Sequence, residues 1–219
     1  MVRRKMHTVL LTSKSIVKSV AKLVAMTLEA QQTTTRAVEI LDIAERLIQT
    51  RGFNAFSYSD IAKELGVTTP ALHYHYRSKE LLGEALILRY SERFFRELEA
   101  IKGATPDAAG RLTQYANQYR MLLSDNRMCL CGILAAEYQT LPPSMQTAVL
   151  EFFRRNESWL EGVLREGVLR GEISASEPLA GTAQLIIDTL EGAMMIARAH
   201  DEPERFERAS SQLLHSIAS

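Results

Sequence analysis

His73-Tyr74-His75-Tyr76 places two imidazoles and two phenols in four consecutive positions, followed at once by Ser78, Lys79 and Glu80. Three chemistries use such groups: metal ligation, proton transfer, and hydrogen bonding to phosphates. Metal ligation fails on geometry, because residues two apart on a helix point about 200° apart and cannot close on one ion. Cys129 and Cys131 share that spacing, so on a helix they neither bond to each other nor share a metal. No Ser-His-Asp set, paired carboxylates or glycine-rich phosphate loop accompanies the histidines, and an exposed helix supplies no cleft for catalysis. The expectation is a protein that is not an enzyme and needs no metal or other cofactor. Contact with phosphates remains.

The elements that must carry these residues are all helical. Apolar residues recur at helical spacing through nearly every segment, strand-like alternation is almost absent, and the 219 residues are 46% hydrophobic with only 11 glycines and 6 prolines. Val38, Leu41, Ala44 and Ile48 mark the buried face of a first helix that stops at Gly52. Ser57 three residues before Asp60 starts a second, which Gly66 closes. A third begins at Thr68 or Thr69 with Pro70 in its first turn and ends near Tyr76, anchored by Leu72 and Tyr76. Ser78 caps a long fourth helix ending before Gly103. The spacing then predicts helices over about 106–124, 127–141, 144–170, 177–200 and 203–218, with Pro142-Pro143 forcing one of the breaks.

Two short helices joined by a tight glycine turn and buttressed by a preceding amphipathic helix are the ingredients of a helix-turn-helix DNA-binding unit. The chain has 26 basic and 26 acidic residues, so any contact with nucleic acid depends on where charges sit. Hydroxyls and imidazoles on the third helix have the length to reach base edges and phosphates, and Lys79 with the amides after Ser78 forms a second anion site. The expected organisation is a basic extension over 1–35, a DNA-binding unit over 36–82, and an effector-binding and dimerisation bundle over 83–219, with the fourth helix shared. Two cysteines rule out a disulfide framework and suit the cytoplasm. The longest uncharged runs fall short of the roughly 20 apolar residues that span a membrane, so no membrane contact is expected of the bundle.

"AFSYSDIAKELGVTTPALHYHYRSKELLGEAL" resembles the N-terminal signature of the TetR family of transcriptional regulators: an isoleucine-alanine pair, a glycine turn, a tyrosine-histidine-aromatic triplet and a serine-lysine-glutamate helix start. The resemblance covers about Ala37 to Leu88, and "LEGVLREGVLRGEI" with "TLEGAMMIARAH" is similar to the family's ligand-binding and dimerisation helices. The chain departs from it at His73, where many relatives carry a phosphate-contacting aromatic. The resemblance implies a homodimer on a palindromic operator, with Thr68, Thr69, Pro70, Ala71, His73, Tyr74, His75 and Lys79 on or beside double-stranded DNA. It also implies release by a small-molecule effector, making the protein a repressor; an activator or a regulator answering to a protein partner is the alternative.

The bundle's aromatic and sulfur-bearing residues Tyr115, Tyr119, Met128, Cys129, Phe152, Phe153 and Trp159 are the candidate lining of an apolar ligand pocket. Two readings stay open for the cysteines: both are small core residues, or Cys129, placed near a helix start beside Arg127, is an accessible thiol open to an electrophilic effector. Gly181, Gly192, Ala193 and Met194 lie on the eighth helix among bulky apolar residues and are the candidate dimer seam. Finally, residues 1–26 carry Arg3, Arg4, Lys5, Lys14, Lys18 and Lys22 with no acid. Three readings stay open for them: a translation start at Met26, an additional phosphate-binding arm, or a targeting or membrane-surface segment.

Overall fold

The structure, a computed structural model, describes residues 35–174 and 178–218. The readings of the basic extension therefore lie outside the described residues, save for Thr35, which is already helical. By their internal contacts the residues fall into two units, Met1–Asp42 and Ile43–Ser219. In the first, residues 35–42 are helical and Arg36 pairs with Glu39 at 2.8 Å.

Helix α1 (residues 35–51) continues into the second unit, where Ala44, Leu47 and Ile48 are buried at the three- and four-residue spacing of one face. Gly52 ends it at φ +94°, donating its amide to Ile48 at 2.8 Å. A side chain there would be strained and would also collide with the Glu137 carboxylate. Helix α2 (Tyr58–Leu65) opens on a reciprocal cap between Ser57 and Asp60 and closes on Gly66 at φ +66°. Helix α3 (Thr69–His75) follows after one short turn.

Helix α4 (Lys79–Ala104) is capped by the Ser78 hydroxyl, which accepts from the Leu81 amide at 3.1 Å. It runs through Gly103 rather than stopping before it; Thr105 and Pro106 end it instead. At 26 residues it spans about 39 Å. Helix α5 (Ala108–Ser124) is capped by Asp107, helix α7 (Pro143–Leu169) starts at the diproline, and α8 (Leu179–Ala199) and α9 (Pro203–Ala218) complete the bundle. Helix α8 packs on α7 and α9, α5 on α7, α8 and α9, and α4 on α5 and α7. Among the described residues no strand occurs and no helix is long and apolar enough to cross a membrane.

The sixth helix departs most from expectation. Instead of 127–141, α6 covers Leu130–Ala136, followed by a short 3-10 turn over Tyr138–Thr140. The cause is competition for backbone donors. Asn126 is left-handed at φ 56°, the Arg127 amide turns back to Leu122, and the Met128 amide donates to the Gln49 carbonyl of α1 at 3.0 Å. Cys129 is therefore the residue before the helix, its Sγ accepting from the Gly132 amide. At the other end Glu137 turns its carboxylate onto the Phe53 and Asn54 amides.

Candidate nucleic-acid interface and effector cavity

Helix α3 rests on one side chain. Leu72 is 1% exposed, while Thr68, Pro70, Ala71 and His73 face outward and Tyr74 is 78% exposed. Thr69 and His75 are half-buried. Tyr76, expected as the second anchor, sits just past the helix and is only half-buried; its carbonyl accepts from the Tyr58 hydroxyl at 2.8 Å. Burial pushes the Tyr58 phenol up to about 12, so this bond keeps its proton. His73 lies against the Tyr58 ring, centroids 4.6 Å apart, and its Nδ1 meets the Arg77 carbonyl at 3.1 Å. The imidazole is thus positioned by α2 and the next turn while remaining exposed. Opposite-charge pairs, Arg46 with Glu64 and Arg51 with Asp60, tie α1 to α2 behind it.

Lys79 has another assignment than the one expected. Its ammonium does not point outward as a free cation; it donates to the carbonyls of Phe53 and Phe56 at 2.5 and 2.6 Å and lies over both rings. Partial burial pulls its pKa below the usual lysine value, with Glu137 and Asp60 opposing the drop. Arg77, two positions before Lys79, is exposed and without an ion-pair partner among the described residues. Sequence reasoning passed over it because it reads as a spacer between two motif pieces. Lys79→Met is expected to lower stability by on the order of 2 kcal/mol, because two buried carbonyls lose charged donors. DNA affinity would fall through loss of structure, with the salt slope unchanged; a slope lowered by about one unit would show instead that Lys79 reaches a phosphate. Denaturant unfolding and salt titrations of DNA binding measure the two.

In the bundle, a cavity of about 180 Å³ opens between α4 and α5, walled by Tyr90, Phe94, Gln118, Tyr119 and Leu122, with Arg93, Glu97 and Asp125 among its polar groups. Of the seven candidate ligand residues only Tyr119 lines it. Tyr115, Tyr119, Phe152 and Trp159 form a continuous aromatic core with Tyr90 and Phe94, in which Tyr115 and Tyr119 share a hydroxyl contact at 3.0 Å. Phe153 is half-buried against Phe152, and Met128 is buried beside α1. Tyr90, Phe94 and Gln118 were missed because a cavity's walls depend on which helices meet, not on residue type.

Of the two readings of Cys129, the accessible thiol is corrected and core packing stands. Both thiols are fully buried, and burial together with the nearby Glu191 carboxylate pushes each well above the usual thiol range. Desolvation outweighs the helix start that was expected to favour a thiolate. Cys129 is neither accessible nor on the helix, so a directly reactive thiol has no support here.

Along α8 one outward face carries large apolar residues, Leu185 55% exposed, Met195 46% and Ile196 48%, in line with Gly181 and Gly192 and interrupted by exposed Asp188. Nothing lies within 4 Å of where a Cβ would stand on either glycine. Ala193 is half-buried, but Met194 belongs to the opposite face: it is fully buried and its sulfur accepts from the Cys129 amide at 3.3 Å. Met194 is removed from the candidate seam, and Leu185, Met195 and Ile196 join it.

Comparison with known proteins agrees with this architecture in both halves. Residues 40–86 match the family model described as bacterial regulatory proteins, tetR family, and residues 108–213 match the tetracyclin repressor-like C-terminal domain. The HTH-type transcriptional regulator UidR of Escherichia coli K12 is 28% identical over 182 residues, covering 80% of this chain and 87% of that protein. A TetR transcriptional regulator from Legionella pneumophila is 32% identical with a TM-score of 0.75, covering 82% of this chain and 95% of that one. A TetR-family regulator from Agrobacterium tumefaciens is 28% identical with a TM-score of 0.83, covering 85% of this chain and all 100% of that one. Sequence and coordinates thus lead to one conclusion: the chain belongs to the tetR family and is a DNA-binding transcriptional regulator.

Proposed function

We propose that this regulator is a repressor that binds a palindromic operator as a homodimer in the cytoplasm and lets go of it when a small molecule occupies the bundle. The observation that carries the reading is that helix α4 belongs to both ends of the process. Its first turn holds the DNA unit, through the Ser78 cap and the Lys79 bonds to Phe53 and Phe56, and three turns on its Tyr90 and Phe94 wall the cavity. Helix α8 adds a second connection: Arg198 donates to the carbonyls of Gln49 and Thr50 at the end of α1. A ligand that shifts α4 or α8 therefore changes the seating of the recognition helix, provided it prefers the shifted arrangement. The DNA unit is assigned to 36–82 and the effector and dimer bundle to 83–219. Thr68, Thr69, Pro70, Ala71, His73, Tyr74 and His75 are assigned to the DNA surface, with Arg77 beside them.

Two recognition helices related by a two-fold axis enter successive major grooves when they stand roughly 34 Å or somewhat more apart. Selecting genomic fragments with the purified protein is expected to return sequences sharing an inverted repeat, and transcription from an adjoining promoter should fall when the protein is added. Bound fragments with a single unrepeated motif would rule out the symmetric dimer, and increased transcription would rule out repression.

A further inference from the structure

Three side chains bury polar atoms around the Tyr115–Tyr119 pair that make no well-formed hydrogen bond, only looser contacts of Tyr119 and Cys129 with Glu191 and of Tyr115 with Asn156. They are Glu191 on α8, through both oxygens, Asn156 on α7, through both side-chain atoms, and Trp159 on α7, through Nε1. Protein interiors pair about nine in ten such groups, so three together call for a physical reason. They form one cluster. The Trp159 ring stacks on Tyr115 with centroids 5.9 Å apart, Asn156 lies beside the Tyr115 hydroxyl, and Glu191 lies beside Tyr119 and Cys129. Tyr119 is also a wall of the α4–α5 cavity, so one phenol separates that cavity from the buried carboxylate.

The electrostatics are one-sided. The titratable groups facing Glu191 are Tyr90 from α4, Tyr115 and Tyr119 from α5, and Cys129 and Cys131 at and within α6, none of them cationic. At the cavity, Glu97 and Asp125 are acidic, and the single cation, Arg93, is held by Glu45 at 2.5 Å. We propose that Glu191 is the anchor of the effector site and that the effector is a small organic cation, a protonated amine on an aromatic or apolar body, entering from the α4–α5 cavity. The ammonium donates to the Glu191 oxygens and to Asn156 Oδ1, while the Tyr115, Tyr119 and Trp159 rings offer π-faces to the charge and the body. An anion meets an acid at each end of this path and is rejected. The consequence for DNA rests on the ligand-responsive reading above; the binding itself rests on the cavity and the cluster.

Burial lifts the Glu191 carboxyl to about 7, with Cys129 and Tyr119 pulling it back only in part. The carboxylate form that binds an amine is therefore the minor one at pH 6 and the major one at pH 8, so amine affinity rises with pH, by about tenfold over that interval. The test titrates the full-length protein and Glu191→Gln calorimetrically with three probes of matched shape: phenethylamine, 2-phenylethanol and 3-phenylpropionate. Wild type is expected to bind the amine at least tenfold more tightly than the alcohol and to bind the acid least. Glu191→Gln, which keeps the side-chain shape, is expected to remove that preference and the pH dependence while leaving the alcohol within about threefold. An amine bound no better than the alcohol by wild type, or equally well by both proteins, overturns the proposal, and the wild-type comparison stands even if the variant folds poorly. A mobility shift with phenethylamine separates the two readings. Binding without release of DNA leaves the cation site standing and removes its role as the effector switch.

Discussion

Ala71→Glu is expected to lower operator affinity at least a hundredfold while leaving the melting temperature unchanged or slightly raised. Ala71 is the third residue of α3, faces outward, and has its amide bonded to the Thr68 carbonyl at 3.0 Å. A glutamate at that place suits the helix, because a carboxylate in the first turn complements the exposed amides and the dipole. The same carboxylate would enter the major groove between phosphates. There it would lose hydration, repel the backbone and reject every base edge that presents acceptors alone. A hundredfold loss is about 2.7 kcal/mol, within the usual effect of one badly matched contact repeated in two half-sites. Fluorescence anisotropy with a selected operator at fixed salt reads the affinity, and circular dichroism reads the fold. Affinity within threefold of wild type would place some other surface on the DNA.

Leu185→Arg is the second substitution with a large expected effect: it should split the dimer, raising its dissociation constant at least a hundredfold, with no loss of monomer fold. In one chain Leu185 is more than half exposed, so the arginine can extend into solvent at little cost. On the proposed seam the α8 helices of two copies approach along Gly181, Leu185, Gly192, Met195 and Ile196, and a two-fold axis sets the two arginines close to one another. Two like charges, each offset only by Asp188 one turn on, would then be buried in place of an apolar contact. DNA affinity should drop with the dimer, because each half-site alone supplies only part of the contact energy. Sedimentation equilibrium decides it, and a dimer that survives would move the interface off this face of α8.

What was readable from the sequence by itself was whatever depends on residues within about one helical turn. The Ser57–Asp60 cap, the left-handed stops at Gly52 and Gly66, the Ser78 cap and the diproline start of α7 each involve groups at most four positions apart, and all were found where the spacing put them. So was the exposed recognition helix, whose outward residues follow once Leu72 is fixed as its anchor. The tertiary structure decided everything in which a side chain or amide chooses among distant partners. Lys79 carries the charge expected of a phosphate contact, yet the carbonyls of Phe53 and Phe56, more than twenty residues away, hold it inward. The Met128 amide pairs with Gln49 on α1, and this shortens α6 and takes Cys129 off the helix and out of solvent. Met194 and Met195 are chemically identical neighbours, and only the rotation of α8 against Cys129 sends one into the core and leaves the other outside. Glu191 carries no signal of its own in the sequence. It became a candidate anchor only when α4, α5 and α6 closed around it and brought phenols and thiols but no cation. Hydrogen bonds within a turn are written into residue order, whereas burial and pairing across the bundle depend on which faces meet, and residue order alone does not specify that.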